Sequence, residues 1–450
     1  MQIIFSKNFY KKTVPLHNMK DKTVDIITLG CSKNLVDSER LAAQFGVLGY
    51  EIRNDADNPD GEIVVINTCG FIEAAKQQSI DMILDFGERR KNGEIKKLFV
   101  IGCLSERYKI DLQKEIPEVD KYFGKFDYAD ILKEIGATYR ADLKNERTLS
   151  TPNHYAYIKI SEGCNRQCSY CAIPIITGHH RSRKMEDIVN EVNTLVKNGT
   201  KEFQIIAQDL SYYGLDLYKK LKLSELIERL TDIKGVEWIR LHYAYPAGFP
   251  FDILRVMRER ENVCKYLDIA LQHISDKMLA LMHRNITKSE TYDLLKIIRT
   301  EVPNIHLRTT LLLGHPHETE EDVLELLDFV KDMRFERLGA FAFSNEDGTF
   351  AFKNYKDNIS QEEKERRVGL IMNAQQSVCE EINESKIGKI FKTIIDRRDG
   401  EYFVGRTEFD SPEVDNEVLI LSENQEITTG NFYNVKIFNA TTYDLFGKIV

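Results

Sequence analysis

AYIKIS (156–161) runs directly into SEGCNRQCSYC (161–171), so an apolar, strand-like segment ends in three cysteines within eight positions of a chain that holds eight. A thiol-rich loop at the carboxyl end of a strand is where barrels of alternating strands and helices build their active sites. The same alternation continues downstream. FQIIAQ (203–208), WIRLHY (238–243), YLDIAL (266–271), HLRTTLLL (306–313) and LGAFAF (338–343) read as further strands. Helix-period stretches such as MEDIVNEVNTLVKNG (185–199) and ETEEDVLELLDFVKDM (318–333) separate them. Six successive β/α units without a dinucleotide-binding glycine fingerprint predict a partial (β/α)6 barrel of the TIM type.

Upstream, VDIITLG (24–30), EIVVINT (62–68) and KLFVIG (97–102) are continuous β-branched runs with polar helical stretches between them. Such runs suit a parallel sheet buried on both faces, which predicts a small doubly wound N-terminal domain. Downstream, SQEEKERRVGLIMNAQQSVCEEINES (360–385) reads as a long polar helix. KIFKTIID (389–396), YFVGRT (402–407), EVLILS (417–422) and NFYNVKIFNAT (431–441) then alternate between turn signals and predict a small antiparallel β-barrel. The expected class is therefore α/β in three parts: residues 23–140, 150–382 and 384–450, after an N-terminal extension at 1–22.

At 450 residues, with 42% hydrophobic and 30% charged residues, the chain is expected to bury real cores without disulfides. It shows no run of 18 apolar residues and no charged-then-apolar leader, so a cytoplasmic protein that makes no use of a membrane is expected. Eight cysteines in such a chain point to metal or redox chemistry. A net charge of -9 argues against wholesale wrapping of a phosphate backbone.

Cys164, Cys168 and Cys171 follow a Cys-x3-Cys-x2-Cys pattern. Structural zinc favours four ligands in paired arms, and no second arm lies nearby. Three thiolates suit an iron–sulfur cubane with one iron left open for chemistry. Cys31, Cys69 and Cys103 are 38 and 34 residues apart, yet each follows one of the three upstream apolar runs. The carboxyl ends of neighbouring parallel strands share a crevice, so these thiols are candidates for a second trio, against a bland reading as inert core thiols. Cys264 and Cys379 have no such company and read as structural.

These motifs resemble one family. The cysteine loop at the first strand of a partial barrel is the mark of radical S-adenosylmethionine enzymes. LGCSKNLVDSE (29–39), NTCGFIEAA (67–75), IGCLSERY (101–108), KISEGCNRQCSYCAIPIITGHHRSR (159–183), AQDLSYYGLDLY (207–218), LDIALQHISDKML (267–279) and GAFAFSNEDGT (339–349) resemble its methylthiotransferase branch in order. The match spans 24–450, and GRTEFDSPEVDNEVLI (405–420) is more similar to the RimO type, which modifies a ribosomal protein, than to the MiaB type, which modifies tRNA. The closing barrel would then be a TRAM domain. The resemblance implies two 4Fe–4S clusters, one on Cys164, Cys168 and Cys171 that cleaves S-adenosylmethionine to a 5'-deoxyadenosyl radical. The other, on Cys31, Cys69 and Cys103, would hold a sulfur methylated by a second S-adenosylmethionine. The implied acceptor is the β-carbon of an aspartate in small-subunit ribosomal protein number twelve, presented in the context of the ribosome. An electron donor such as a flavodoxin or ferredoxin and a monomeric enzyme are expected with it.

From Glu384 to Val450 there are eight Lys/Arg and twelve Asp/Glu, a net of -4. An RNA-gripping barrel should be basic, so this charge favours a basic protein partner over tRNA. Gln208 and Arg308 are candidate contacts to S-adenosylmethionine, with Gln272 beside them, although ordinary strand-end polar residues look the same. His179 and His180 in GHHRSRK (178–184) read as a basic loop lining the anionic cofactor and not as a metal pair. LLLGHPHET (311–319) departs from the family's Gly-Phe-Pro-Gly-Glu-Thr, because His315 and His317 replace an aromatic residue and a glycine. A non-glycine there puts the shape of that turn in doubt. A non-catalytic iron–sulfur module that docks on ribosomes is the competing reading from another class, and it predicts no cleavage of S-adenosylmethionine.

Overall fold

The computed structural model describes residues 20–421 and 426–450, so most of the expected extension at 1–22 lies outside the described residues. The described residues form two compact units, one of those up to 150 with 172–178 and one of 151–171 with those from 179 onwards.

The first unit holds a five-stranded parallel sheet of β1 (Lys20–Thr28), β2 (Glu51–Asn54), β3 (Gly61–Thr68), β4 (Lys97–Gly102) and β5 (Lys121–Tyr122), in the order β2-β1-β3-β4-β5. The order reverses between β1 and β3, which makes the sheet doubly wound with a switch point at that pair. Alternate residues explain the long apolar runs. Ile27, Val64, Ile66, Leu98 and Val100 face one core with Ile83, Phe86 and Leu104. Val24, Ile26, Ile63, Val65, Phe99 and Ile101 face another with Leu41, Phe45 and Leu132. The edge strands β2 and β5 escape the sequence pattern because they are short, and no residue of β2 is buried.

In the second unit β6 (Tyr155–Lys159), β7 (Ser161–Glu162), β8 (Arg181–Ser182), β9 (Glu202–Ile206), β10 (Trp238–Ala244), β11 (Val263–Gln272), β12 (His306–Leu313) and β13 (Arg337–Ala342) follow in turn. Six of them form one parallel sheet in the order β13-β12-β11-β10-β9-β6, the open barrel expected. The antiparallel ladder β7–β8 pairs Ser161 with Ser182 and Glu162 with Arg181 across the base of the cysteine loop. A 24-residue helix, Gln361–Glu384, leads to a closed barrel of β14 (Ile390–Asp399), β15 (Tyr402–Thr407), β16 (Glu417–Leu421), β17 (Phe432–Ala440) and β18 (Asp444–Ile449). Its pairings are antiparallel except β16 with β18, which is parallel and involves a strand absent from the sequence reading.

The segment between β15 and β16 reaches the amino ends of the sheet strands. Asp415 takes Arg308 at 2.6 Å and the Tyr266 hydroxyl at 2.8 Å, Asp410 takes Arg337, and Glu413 accepts from Tyr155 at 3.1 Å. Arg406 and Arg240 share Glu202 at 2.7 and 3.1 Å. Asp410 and Asp415 thus serve as internal counterions, and the net of -4 is not wholly a free surface charge. The acidity of residues 384–450 therefore favours a basic partner by less than the sequence suggests. Among the described residues no helix is long and apolar enough to cross a membrane.

Candidate active site

In the first unit Cys31, Cys69 and Cys103 stand at the carboxyl ends of β1, β3 and β4, three adjacent strands at the switch point. Glycines set how closely those ends approach. A Cβ on Gly30, whose φ is +98°, would lie 2.8 Å from Cys69 Cβ and 3.0 Å from its Sγ. One on Gly70 would lie 2.7 Å from the Leu104 Cα and 2.8 Å from the Cys103 carbonyl carbon. Only a bare backbone fits at either place. Burial lifts the Cys103 thiol to about 12, with the charges of Cys31 and Cys69 adding to the rise and Lys125 opposing it. Lys125 Nζ is 3.8 Å from Cys103 Sγ and 3.8 Å from Asp37. Desolvation raises the Cys31 thiol too, but the charges of Lys33 and Lys125 and the backbone N–H groups of Asn34 and Lys33 outweigh it and hold it below its usual value. The donor set is three thiols with ammonium charge at hand, which fits an anionic cluster held by thiolates.

In the second unit Cys164, Cys168 and Cys171 follow β6 and β7. Ser169 pins the loop. Its N–H donates to the Met282 carbonyl at 3.1 Å, its carbonyl accepts from Ala351 N at 2.7 Å, and its hydroxyl meets His315 Nε2 at 3.3 Å. Arg284, 3% exposed, donates to Cys168 Sγ at 3.2 Å and to the Tyr170 hydroxyl at 3.3 Å. The Tyr245 ring is approached by two guanidiniums, Arg166 at 4.0 Å and Arg284 at 4.1 Å, and its hydroxyl lies 3.8 Å from Cys168 Sγ. Asp209 holds Arg166 in turn, at 2.8 Å. Burial raises the Cys164 thiol to about 11, while the Arg166 backbone N–H opposes the rise at 3.4 Å.

Among the described residues no three or more His, Cys, Asp or Glu side chains are gathered as a site for one metal ion. Each thiolate of a cubane binds a different iron, so its ligands stand further apart than those of a single ion. The chemistry of the donors and the cations beside them fits such a cluster in both trios.

Gln208 lies just past the carboxyl end of β9 and donates to Glu162 at 2.5 Å, while its buried Oε1 has no hydrogen-bond partner among the described residues. Gln272 closes β11 with a positive φ of 75°. Arg308 departs from its expected role. It is the third residue of β12, towards the amino end, and its guanidinium belongs to Asp415. His180 corrects the basic-loop reading: it is buried, bonds Ser182 Oγ at 3.0 Å, and desolvation lowers its pKa, so it adds no charge there. His317 takes a φ of 71°, in the left-handed region that favours glycine, at the cost of strain. His315 fills an aromatic position against Phe343 and Tyr355. Cys264 and Cys379 are buried, the former beside Trp238 and Tyr266. Sequence reading missed Arg284, Tyr245 and Lys125, because nothing in their local sequence marks a thiol 22 to 116 residues away.

The chain is 60% identical over 432 residues to the ribosomal protein uS12 methylthiotransferase RimO of Bacteroides thetaiotaomicron, covering 96% of this chain and 99% of that one. It belongs to that methylthiotransferase family. The corresponding protein of Cytophaga hutchinsonii is 53% identical, with 96% and 99% covered. The model of the radical SAM superfamily matches residues 158–330, that of the TRAM domain residues 387–450, and that described as "Uncharacterized protein family UPF0004" residues 23–124. The radical S-adenosylmethionine methyltransferase TsrM of Kitasatospora setae shares the fold at 12% identity, with a TM-score of 0.53 over 72% of each chain. Membership makes this chain a radical SAM enzyme, with S-adenosylmethionine and a 4Fe–4S cluster as the cofactors of its class.

Proposed function

We propose that this chain inserts a methylthio group at the β-carbon of an aspartate of ribosomal protein uS12. Its relatives' identity of about 60% over 96% of the chain carries that reading, with RimO in each name. Cys164, Cys168 and Cys171 hold one 4Fe–4S cluster, and Cys31, Cys69 and Cys103 hold a second. When bound, the clusters and S-adenosylmethionine supply the electron, the radical and the methyl group. The chain's own residues bind and position. Arg284 and Tyr245 brace Cys168, Lys125 offsets thiolate charge at Cys103, and the free Oε1 of Gln208 accepts a hydrogen bond from the cofactor. The parts at 23–140, 150–382 and 384–450 act as cluster, radical and substrate-holding domains, in the cytoplasm, with a flavodoxin or ferredoxin as donor.

Mass spectrometry of uS12 from cells with and without the gene tests this. A methylthio group lost from the aspartate on deletion is the expected result. The same loss on tRNA adenosine instead would establish the tRNA-modifying alternative, which the relatives do not favour.

A further inference from the structure

At the opposite end of the sheet from Cys164, Cys168 and Cys171, a cavity of about 600 Å³ opens beside the amino ends of β12 and β13. Arg299, His306, Glu336, Lys386, Lys389 and Phe409 are among its lining residues. None of them enters the reaction described above. Most of the charge nearby is already matched: Arg299 makes a two-pronged pair with Glu336 at 2.9 and 3.1 Å, and Arg337 is held by Asp410.

Lys386 is the exception. Its side chain is buried, 5% exposed, and its only described hydrogen bond runs to the Asn383 amide oxygen at 3.3 Å. No carboxylate lies within ion-pair distance of it among the described residues. It follows the helix Gln361–Glu384, whose carboxyl terminus offers about half a negative charge. That is not enough, because burial and the Arg337 charge outweigh the more distant charges of Asp410 and Glu336 and bring Lys386 down to about 8. A buried ammonium is ordinarily paired. A second group is also left over: His306 Nδ1 is buried with no hydrogen-bond partner among the described residues, while the ring stacks on Phe409 at 4.0 Å. Lys389 stands exposed at the rim.

We infer that this cavity is a binding site for a small phosphate-bearing ligand, whose oxyanion is held by Lys386, His306 Nδ1 and Lys389. An oxyanion supplies what both buried groups lack at bonding distance, a paired negative charge for the ammonium and an acceptor for the imidazole. Phe391 and Phe409 add an apolar wall for an attached organic group.

Titration calorimetry of the reconstituted holoenzyme, with inorganic phosphate and with phenyl phosphate as separate probes, tests the site. Saturable binding of at least one probe, at one per chain, is expected. Lys386→Met, which keeps the stem's packing, and Lys389→Ala, at the exposed rim, should each weaken it at least tenfold. Both variants should retain cleavage of S-adenosylmethionine, which reports that the chain is folded. Binding of neither probe, or binding unchanged in Lys389→Ala and in folded Lys386→Met, overturns the inference.

Discussion

Arg284 Nη1 donates to Cys168 Sγ at 3.2 Å, across 116 residues of sequence. Burial would disfavour its charge, but Tyr170, Cys168 and Tyr245 raise its pKa further still, so it stays a cation against the sulfur. A hydrogen bond from a cation to a cluster sulfur favours the reduced, more negative state. Arg284→Gln should lower the midpoint potential of that cluster by on the order of 50 mV, since about 1.4 kcal/mol corresponds to 59 mV for one electron. Potentiometric titration followed by electron paramagnetic resonance measures it.

Gly30, the neighbour of Cys31, lies so close to Cys69 that a Cβ on it would stand 2.8 Å from Cys69 Cβ and 3.0 Å from its Sγ. Gly30→Ala should therefore impair the second cluster and spare the first. Substituting Ala for Cys31, Cys69 and Cys103 together should cut iron per chain by about half. It should leave formation of 5'-deoxyadenosine intact and stop methylthio insertion. Iron assay and product analysis of the same preparation check both.

Arg337 and Asp410 are both buried, 4% and 0% exposed. Removing one partner strands the other. Asp410→Ala should cost about 3–5 kcal/mol, whereas Arg337→Met with Asp410→Leu should cost much less, because the apolar pair needs no desolvation. Urea unfolding followed by circular dichroism compares them.

His315 is wholly buried, and burial brings its pKa down to about 4. The unfolded chain, with an ordinary value of about 6.5, takes up the proton first. No stability is lost above that value. As pH falls from about 6.5 to 4 the folded state loses up to about 3 kcal/mol, and the loss levels off below. In His315→Phe, which suits the contacts with Phe343 and Tyr355, this part of the acid sensitivity should vanish. Unfolding midpoints at pH 7 and pH 5 for both proteins measure the difference.

Much of this architecture was legible in the sequence, and for physical reasons. Strands buried on both faces, such as Gly61–Thr68, leave continuous apolar runs, and thiols at equivalent strand ends mark themselves by position. Short edge strands such as Glu51–Asn54 leave no such trace. Charge was the least legible. Asp410 and Asp415 look like a free acidic surface until they are seen holding Arg337 and Arg308, and Arg308 looked like a cofactor ligand for the same reason. Pairing across 73 and 107 residues has no local signature.

The chain methylthiolates uS12. Incubation of the reconstituted enzyme with S-adenosylmethionine, a reductant and ribosomes, followed by peptide mass spectrometry of uS12, tests it most directly. One methylthio group on a single aspartate is the expected result, absent when Cys164, Cys168 and Cys171 are replaced by Ala. An unmodified uS12 alongside methylthiolated tRNA would contradict it.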